Sequence, residues 1–136
     1  MASVAATASN SRSLRRIVLR ADAAFGGLGG LALIVGARPM ASFLEVEGTA
    51  AFVGLGAVGP LYAGALLWLA QRDPVPAVAV RTVAILNAVW VTGSIAVLTL
   101  DRPALSDGGR LAVAELTVIV AMLTATQFYA ARRGGR

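Results

Sequence analysis

The chain has 136 residues, of which 57% are hydrophobic and 14% are charged. A soluble domain carries about 25% charged residues, so this chain is too poor in polar residues to cover its surface in water. Its net charge is +5, and it contains neither Cys nor His. The lack of these two residues excludes disulfides, thiolate chemistry, Cys or His metal sites and His-ligated haem. We therefore expect no cofactor and no metal.

Four apolar runs follow one another along the chain, at residues 17–37, 50–70, 77–100 and 110–131. Each has about 20 residues, the length of helix that spans the hydrocarbon core of a bilayer. Their apolar residues lie all round the helix rather than on one face, which is typical of helices in lipid. The sequence thus predicts one membrane domain over residues 1–136, an all-α, four-helix transmembrane bundle.

The connections between these runs carry the residues that end helices. They hold Pro39 and Gly48, the segment "QRDPVP", and Pro103 with two glycines. Residues 1–13 are predicted to form a flexible tail, and residues 134–136 to be disordered. The first apolar run is long and contains Asp22, which favours an uncleaved span over a signal or transit peptide.

Arginine distribution predicts the orientation, because Arg accumulates in the short cytoplasmic loops of membrane proteins. All basic residues are Arg, and with the N-terminus inside nine of them lie in the cytoplasm and three outside. Both termini are therefore expected to be cytoplasmic in a bacterial inner membrane. The nine are Arg12, Arg15, Arg16, Arg20, Arg72, Arg81, Arg132, Arg133 and Arg136, and the three are Arg38, Arg102 and Arg110. Arginines at segment ends favour lipid, rather than nucleic acid, as the partner of this charge.

The first and third spans each carry polar residues near the predicted cytoplasmic side. Asp22 lies about five residues inside the first span, and Arg81 begins the third. The two are predicted to pair, with Asn87 two turns deeper bonding to the pair or to a neighbouring backbone. This set is either a structural clamp or a ligand or proton site that opens to the cytoplasm, since ionisable groups inside spans usually face the bundle.

Small residues in the first two spans predict close helix packing. Gly26 and Gly30 form a GxxxG motif, and Gly56, Pro60 and Gly64 form a stripe at four-residue spacing on the second span. Pro60 is also expected to kink its helix. The segment "GLGAVG" matches the dinucleotide fingerprint, but it lies inside a span without the strand that the fingerprint requires.

Two aromatic residues could share an interior pocket with Asn87. Tyr62 follows Pro60 in mid-span, and Trp90 is one turn from Asn87. An aromatic side chain with a polar tip at this depth needs a partner. The alternative is ordinary packing of the bundle.

The fourth span carries Glu115 near its outer end. It is predicted to be either an anchor paired with Arg38, Arg102 or Arg110, or a protonatable site in a shallow outer pocket, because buried charge is normally paired or neutralised. Its position near the face opposite Asp22 excludes a close acid–base pair between the two carboxylates.

The chain resembles a widespread type of bacterial four-span membrane protein that has no assigned activity. The segments that carry the resemblance are "LRADAAFGGLGGLALI", "PLYAGALLWLA", "ILNAVWVTGSIAVL" and "AELTVIVAMLTATQFYAARR". It implies the four-helix fold, an inner-membrane location and a role for the polar positions Asp22, Asn87 and Glu115. It implies no reaction.

Three classes of function remain open. The first is a non-enzymatic binding or accessory subunit, which would hold a membrane-protein partner, a second copy of itself or an apolar ligand. The second is a small proton-coupled transporter or channel, since small multidrug exporters resemble this chain in architecture, although their Glu lies deep in the first span. The third is a cofactorless membrane enzyme, which would use Asp22 or Glu115 as base and Asn87 or Tyr62 to polarise a carbonyl.

Overall fold

The computed structural model describes residues 2–43, 48–100 and 105–132, with side chains from Ser13 onward except that of Phe43. It contains five helices: α1 (Ala2–Val35), the short α2 (Ala37–Phe43), α3 (Ala50–Ala70), α4 (Ala77–Leu100) and α5 (Asp107–Arg132). The described residues include no strand. The all-α four-helix bundle is confirmed.

Four of these helices are long and apolar enough to cross a membrane: Ser13–Val35 within α1, and α3, α4 and α5 over their full lengths. Helix α3, for example, has 21 residues, which give it a length of about 32 Å. The protein is therefore a small multi-pass membrane protein.

The bounds of α3 and α4 agree with the predicted runs, whereas Pro39, Gly108 and Gly109, which were predicted to end helices, lie inside α2 and α5. Helix α1 begins at Ala2 and so runs through the residues predicted to be a flexible tail. The segment predicted to be disordered after Arg133 and the loop residues Glu45, Glu47 and Arg102 lie outside the described residues. Gly48 adopts a φ of 86°, which an L side chain rarely tolerates, just before α3 begins. Ser106 caps α5 by accepting a hydrogen bond from the amide of Gly109 at 3.2 Å.

The spans form two helical hairpins. Helices α1 and α3 pack along each other as the first hairpin, with α2 at their connection, and α4 and α5 pack as the second. Between the hairpins, the main contact is made by α1 and α5. We call the end of the bundle that holds the α3–α4 turn, residues 71–76, the turn end, and the opposite end the far end.

The hydrophobic core that joins the hairpins lies in the half of the bundle nearest the turn end. Leu19 and Val80 are fully buried within it. Helix α4 buries no residue beyond Asn87, so its farther half packs less tightly. The core comprises Val18, Leu19, Ala23, Ala63, Leu66, Ala70, Val75, Val80, Val83 and Ala130.

Close backbone contact between α1 and α3 holds the first hairpin together toward the far end. A Cβ added at Gly30 would lie 2.5 Å from the carbonyl oxygen of Gly56 and 2.8 Å from Cα of Gly59. Only glycines on both helices permit this approach, which maximises van der Waals contact between helices in lipid. Pro60 lies against Gly30, and α3 continues through Pro60 as a helix.

The predicted packing stripe is wrong at one position. Gly64 is exposed, and nothing lies within 4 Å of a Cβ built there. The contact follows Gly56, Gly59 and Pro60 instead. Gly26 packs against the ring of Tyr62, at 3.2 Å from a Cβ to Cδ1.

Candidate functional site

One side chain from each of the four spans meets in a buried polar cluster, which consists of Asp22, Tyr62, Asn87 and Gln127. Asp22 Oδ2 accepts hydrogen bonds from Tyr62 Oη at 2.9 Å, from Asn87 Nδ2 at 2.9 Å and from Gln127 Nε2 at 2.7 Å. Asn87 Nδ2 also donates to Gln127 Oε1 at 3.1 Å. Counted along the helices from the turn end, these residues lie about 8 to 15 Å deep.

The polar cluster is largely buried. Asp22 is 3% exposed and Gln127 is 0% exposed, while Tyr62 is half-buried. Polar groups in hydrocarbon must find partners within the protein, and here each helix supplies one. The cluster therefore fixes the register of all four spans, and it does so with both hairpins, since Asp22 and Tyr62 belong to the first and Asn87 and Gln127 to the second.

The three donors converge on one oxygen of Asp22 and leave the other without a donor. Among the described residues, Arg15 Nη2 is the buried side-chain nitrogen or oxygen that is both sealed from the surface and unbonded. Asp22 Oδ1 receives no hydrogen bond either. Because Oδ1 is neither bonded by a described residue nor fully sealed, it contributes to the 3% of Asp22 that is exposed.

Tyr62 has two acceptors within reach of its single hydroxyl hydrogen. Its Oη lies 2.9 Å from Asp22 Oδ2 and 3.3 Å from Asn87 Oδ1. The shorter distance favours donation to the carboxylate, because a hydrogen bond to a charged acceptor is the stronger one. Asn87 Oδ1 is then left as a second acceptor beside the cluster.

The predicted ion pair between Asp22 and Arg81 does not form. Arg81 is exposed on α4, and none of the described residues bonds its guanidinium. The buried face of α4 is made by Val80, Val83, Ala84 and Asn87. Arg81 lies about 100° round the helix from Val80, on a different face.

Glu115 lies apart from the cluster, on the exposed face of α5. None of the described residues donates a hydrogen bond to its carboxylate or forms an ion pair with it. The predicted pairing with Arg38 or Arg110 is therefore wrong, and Arg102 lies outside the described residues. Arg110 instead donates to the carbonyl oxygen of Leu98 at 3.4 Å. The neighbours of Glu115 on this face are the exposed Leu111, Val118, Ile119 and Met122.

The structure brings together only two of the three residues of the predicted pocket, which were Tyr62, Asn87 and Trp90. Tyr62 and Asn87 meet in the polar cluster, whereas Trp90 is 43% exposed on α4. Trp90 is three residues from Asn87, so it is displaced about 60° round the helix from it, toward the bundle surface.

Two polar residues were missed by sequence reasoning. Gln127 carries no charge and lies only five residues before the end of α5, so it resembled an interfacial residue. The sequence feature that could have revealed Gln127 is a long amide side chain within a largely apolar run. Arg15 was counted only as a cytoplasmic flanking charge.

Arg15 is 7% exposed and connects three segments at the turn end. Its Nε donates to the carbonyl oxygen of Ala130 at 3.3 Å, and its Nη1 donates to that of Val75 at 3.1 Å. A cation at the C-terminal end of α5 interacts favourably with the helix dipole. The neighbouring Arg16 forms an ion pair with Asp73 at 3.3 Å. Arg15 thus joins segments from within the bundle, whereas Arg16 pairs with the turn.

Comparison with protein-family models, with curated proteins and with solved structures finds no match for this chain.

Proposed function

We propose that this protein is a non-enzymatic binding or accessory subunit of the bacterial inner membrane, which holds an apolar ligand or a membrane partner between its two hairpins. The observation that carries the proposal is the uneven packing of the hairpins. In the far half, α1 and α3 bury Gly30 and Gly56 against each other, and α5 buries Gly109 and Thr117. Helix α4 buries nothing beyond Asn87.

The far half of the bundle exposes apolar side chains on both hairpins. They include Leu31 on α1, Val53 on α3 and Ile95 on α4. A molecule inserted between the hairpins would bury apolar surface without disrupting the core at the turn end. Shape-matched packing, rather than the hydrophobic effect alone, would then supply the affinity, as it does between helices in lipid.

The orientation belongs to the same proposal. The bias of nine arginines to three supports a turn end in the cytoplasm, together with both termini. The polar cluster then lies in the cytoplasmic half of the membrane, and the separated ends of the hairpins face the periplasmic half.

Distance measurements between spin labels would test the proposal directly. The chain has no Cys, so a pair of cysteines can be introduced without background. Leu31→Cys with Ile95→Cys reports on the far end, and Ile17→Cys with Val78→Cys serves as the control pair at the turn end. All four positions are exposed.

We expect the far-end pair to give a broad distance distribution in purified protein and a narrow one in native membrane extracts that retain the ligand or partner. The turn-end pair should stay narrow in both. Mass spectrometry of protein purified in mild detergent would then distinguish a small molecule from a protein partner. A strictly monomeric protein with nothing bound, and with equally narrow distributions at both ends, would contradict the proposal.

A second candidate function is proton-coupled transport, and Asp22 is the observation that favours it. Its carboxylate is buried, and no described arginine bonds to it. Ligand-driven proton release from detergent-solubilised protein, abolished by Asp22→Asn, would support transport. Proton release that persists in this variant would exclude Asp22 as the coupling group.

A further inference from the structure

We propose that Asp22 binds the ammonium group of a lipophilic amine, a molecule with one N–H-bearing cation on an apolar body. The inference rests on the proposed function, because it names the ligand class that the binding subunit holds. Its evidence is the arrangement of charge around one carboxylate oxygen, Asp22 Oδ1.

The donors of the polar cluster bring no positive charge to Asp22. Three hydrogen bonds to Oδ2 come from a phenol and two amides, which are all uncharged donors. The cluster thus surrounds the Asp22 carboxyl group with uncharged partners alone.

The charged groups of the neighbouring helices do not pair with Asp22. Arg15 lies two turns away on α1, about 10 Å along the helix, and two of its three nitrogens bond to backbone carbonyls. Arg81 on α4 is exposed. A carboxylate left without a counter-charge in a low dielectric is costly, so a cation supplied from outside the chain completes the site.

The position of the open oxygen sets the form of the ligand. Oδ1 has no donor among the described residues and is slightly exposed, whereas Oδ2 already accepts three hydrogen bonds. A cation with an N–H group can donate to Oδ1 without displacing any of them. Asn87 Oδ1, which lies 3.3 Å from Tyr62 Oη, is a further acceptor within the cluster.

The surroundings favour an apolar body for the ligand. The cluster lies at the level where the core shared by the hairpins ends, and beyond it α4 exposes Val89, Trp90 and Ile95. A hydrophilic cation would gain nothing from these faces. A molecule with an alkyl or aromatic body would lie along them with its ammonium group at Asp22.

Three probes of equal chain length separate the contributions of charge, hydrogen bonding and apolar contact. They are decylammonium, decyltrimethylammonium and decanol, titrated by calorimetry into the full chain in zwitterionic nanodiscs, with empty nanodiscs as the blank. We expect saturable binding of one decylammonium per chain. Decyltrimethylammonium, which lacks N–H donors, and decanol, which lacks charge, should each bind about tenfold more weakly or worse.

Variants with matched controls assign the binding to Asp22. Asp22→Asn keeps the size of the side chain and removes its charge, and it should weaken decylammonium binding by about tenfold or more. Glu115→Gln removes a carboxylate from the exposed face of α5 and should leave binding unchanged. Tyr62→Phe removes one of the three donors to Oδ2 but leaves the carboxyl group and Oδ1, so it should weaken decylammonium binding less than Asp22→Asn does.

The outcomes distinguish this inference from the function on which it rests. Decanol that binds as tightly as decylammonium, or decylammonium binding that survives Asp22→Asn, overturns the ammonium assignment and leaves a binding subunit for neutral ligands. Loss of binding in Tyr62→Phe as complete as in Asp22→Asn also overturns it, because the cluster would then act only through structure. A far-end distance distribution that is narrow in the empty protein overturns the proposed function itself.

Discussion

Replacing Gly30 with Ala should force α1 and α3 apart and destabilise the first hairpin. The new Cβ would lie 2.5 Å from the carbonyl oxygen of Gly56 and 2.8 Å from both Gly59 Cα and Pro60 Cδ. Ordinary contact begins near 3.5 Å, so the helices must separate locally by about 1 Å. Two of the three obstructing atoms belong to the backbone, which cannot turn aside as a flexible side chain would.

The adjacent Gly29 provides a matched control, because nothing lies within 4 Å of a Cβ built there. Both substitutions change the helix propensity by the same amount, up to about 1 kcal/mol in favour of Ala. The difference between the two variants therefore isolates the packing cost. Overpacking of a close contact costs about 1–3 kcal/mol, and we expect Gly30→Ala to be less stable than Gly29→Ala by that amount.

Unfolding in mixed micelles by titration with sodium dodecyl sulfate, followed by circular dichroism, would give the two free energies. Wild-type protein and Gly29→Ala should unfold at nearly the same fraction of sodium dodecyl sulfate. Gly30→Ala should unfold at a clearly lower fraction. Equal stability of Gly30→Ala and Gly29→Ala would refute the close approach of α1 and α3 at this point.

Three further predictions address the polar groups and the orientation. Asp22→Ala leaves the donors of Tyr62, Asn87 and Gln127 without their acceptor and should lower the free energy of unfolding by about 1–3 kcal/mol in the same titration. Asp22→Asn should lower it by less. Wild-type stability of Asp22→Ala would show that the cluster contributes nothing to stability. Glu115→Gln should change the unfolding free energy by less than about 0.5 kcal/mol, as expected for an exposed, unbonded group, and a larger loss would reveal a missing partner. A fluorescent protein fused after residue 136 should be active and alkaline phosphatase inactive at that point, whereas the reverse result would invert the proposed topology.

The number of spans and most of their limits could be predicted because length and turn residues determine them. The predicted runs 50–70 and 77–100 coincide with α3 and α4, since Gly48, Pro74 and Pro76 cluster in the connections, where such residues favour the end of a helix. The depth of Asp22 and Asn87 could also be estimated by counting residues from the same end. That count placed them at compatible heights, and they do meet.

The identity of the partners could not be predicted in the same way. Arg81 was chosen for Asp22 because opposite charges attract, but Asp22 is held by neutral donors from three helices. Which face of each helix turns inward depends on packing, and the apolar residues around each span gave no period to reveal it. Gly29 and Gly30 illustrate the limit, because adjacent identical residues lie in open space and in closest contact, respectively.

Each hairpin supplies two of the four residues of the polar cluster, so the cluster lets the two hairpins recognise each other. Each hairpin on its own would present a pair of polar side chains to lipid, Asp22 with Tyr62 or Asn87 with Gln127, and each pair supplies what the other lacks. The connection across residues 71–76 adds to this recognition, since Val75 lies in the core and its carbonyl oxygen accepts a hydrogen bond from Arg15. Two hairpins synthesised separately should therefore associate best when the amides of one lie at the depth of Asp22 in the other.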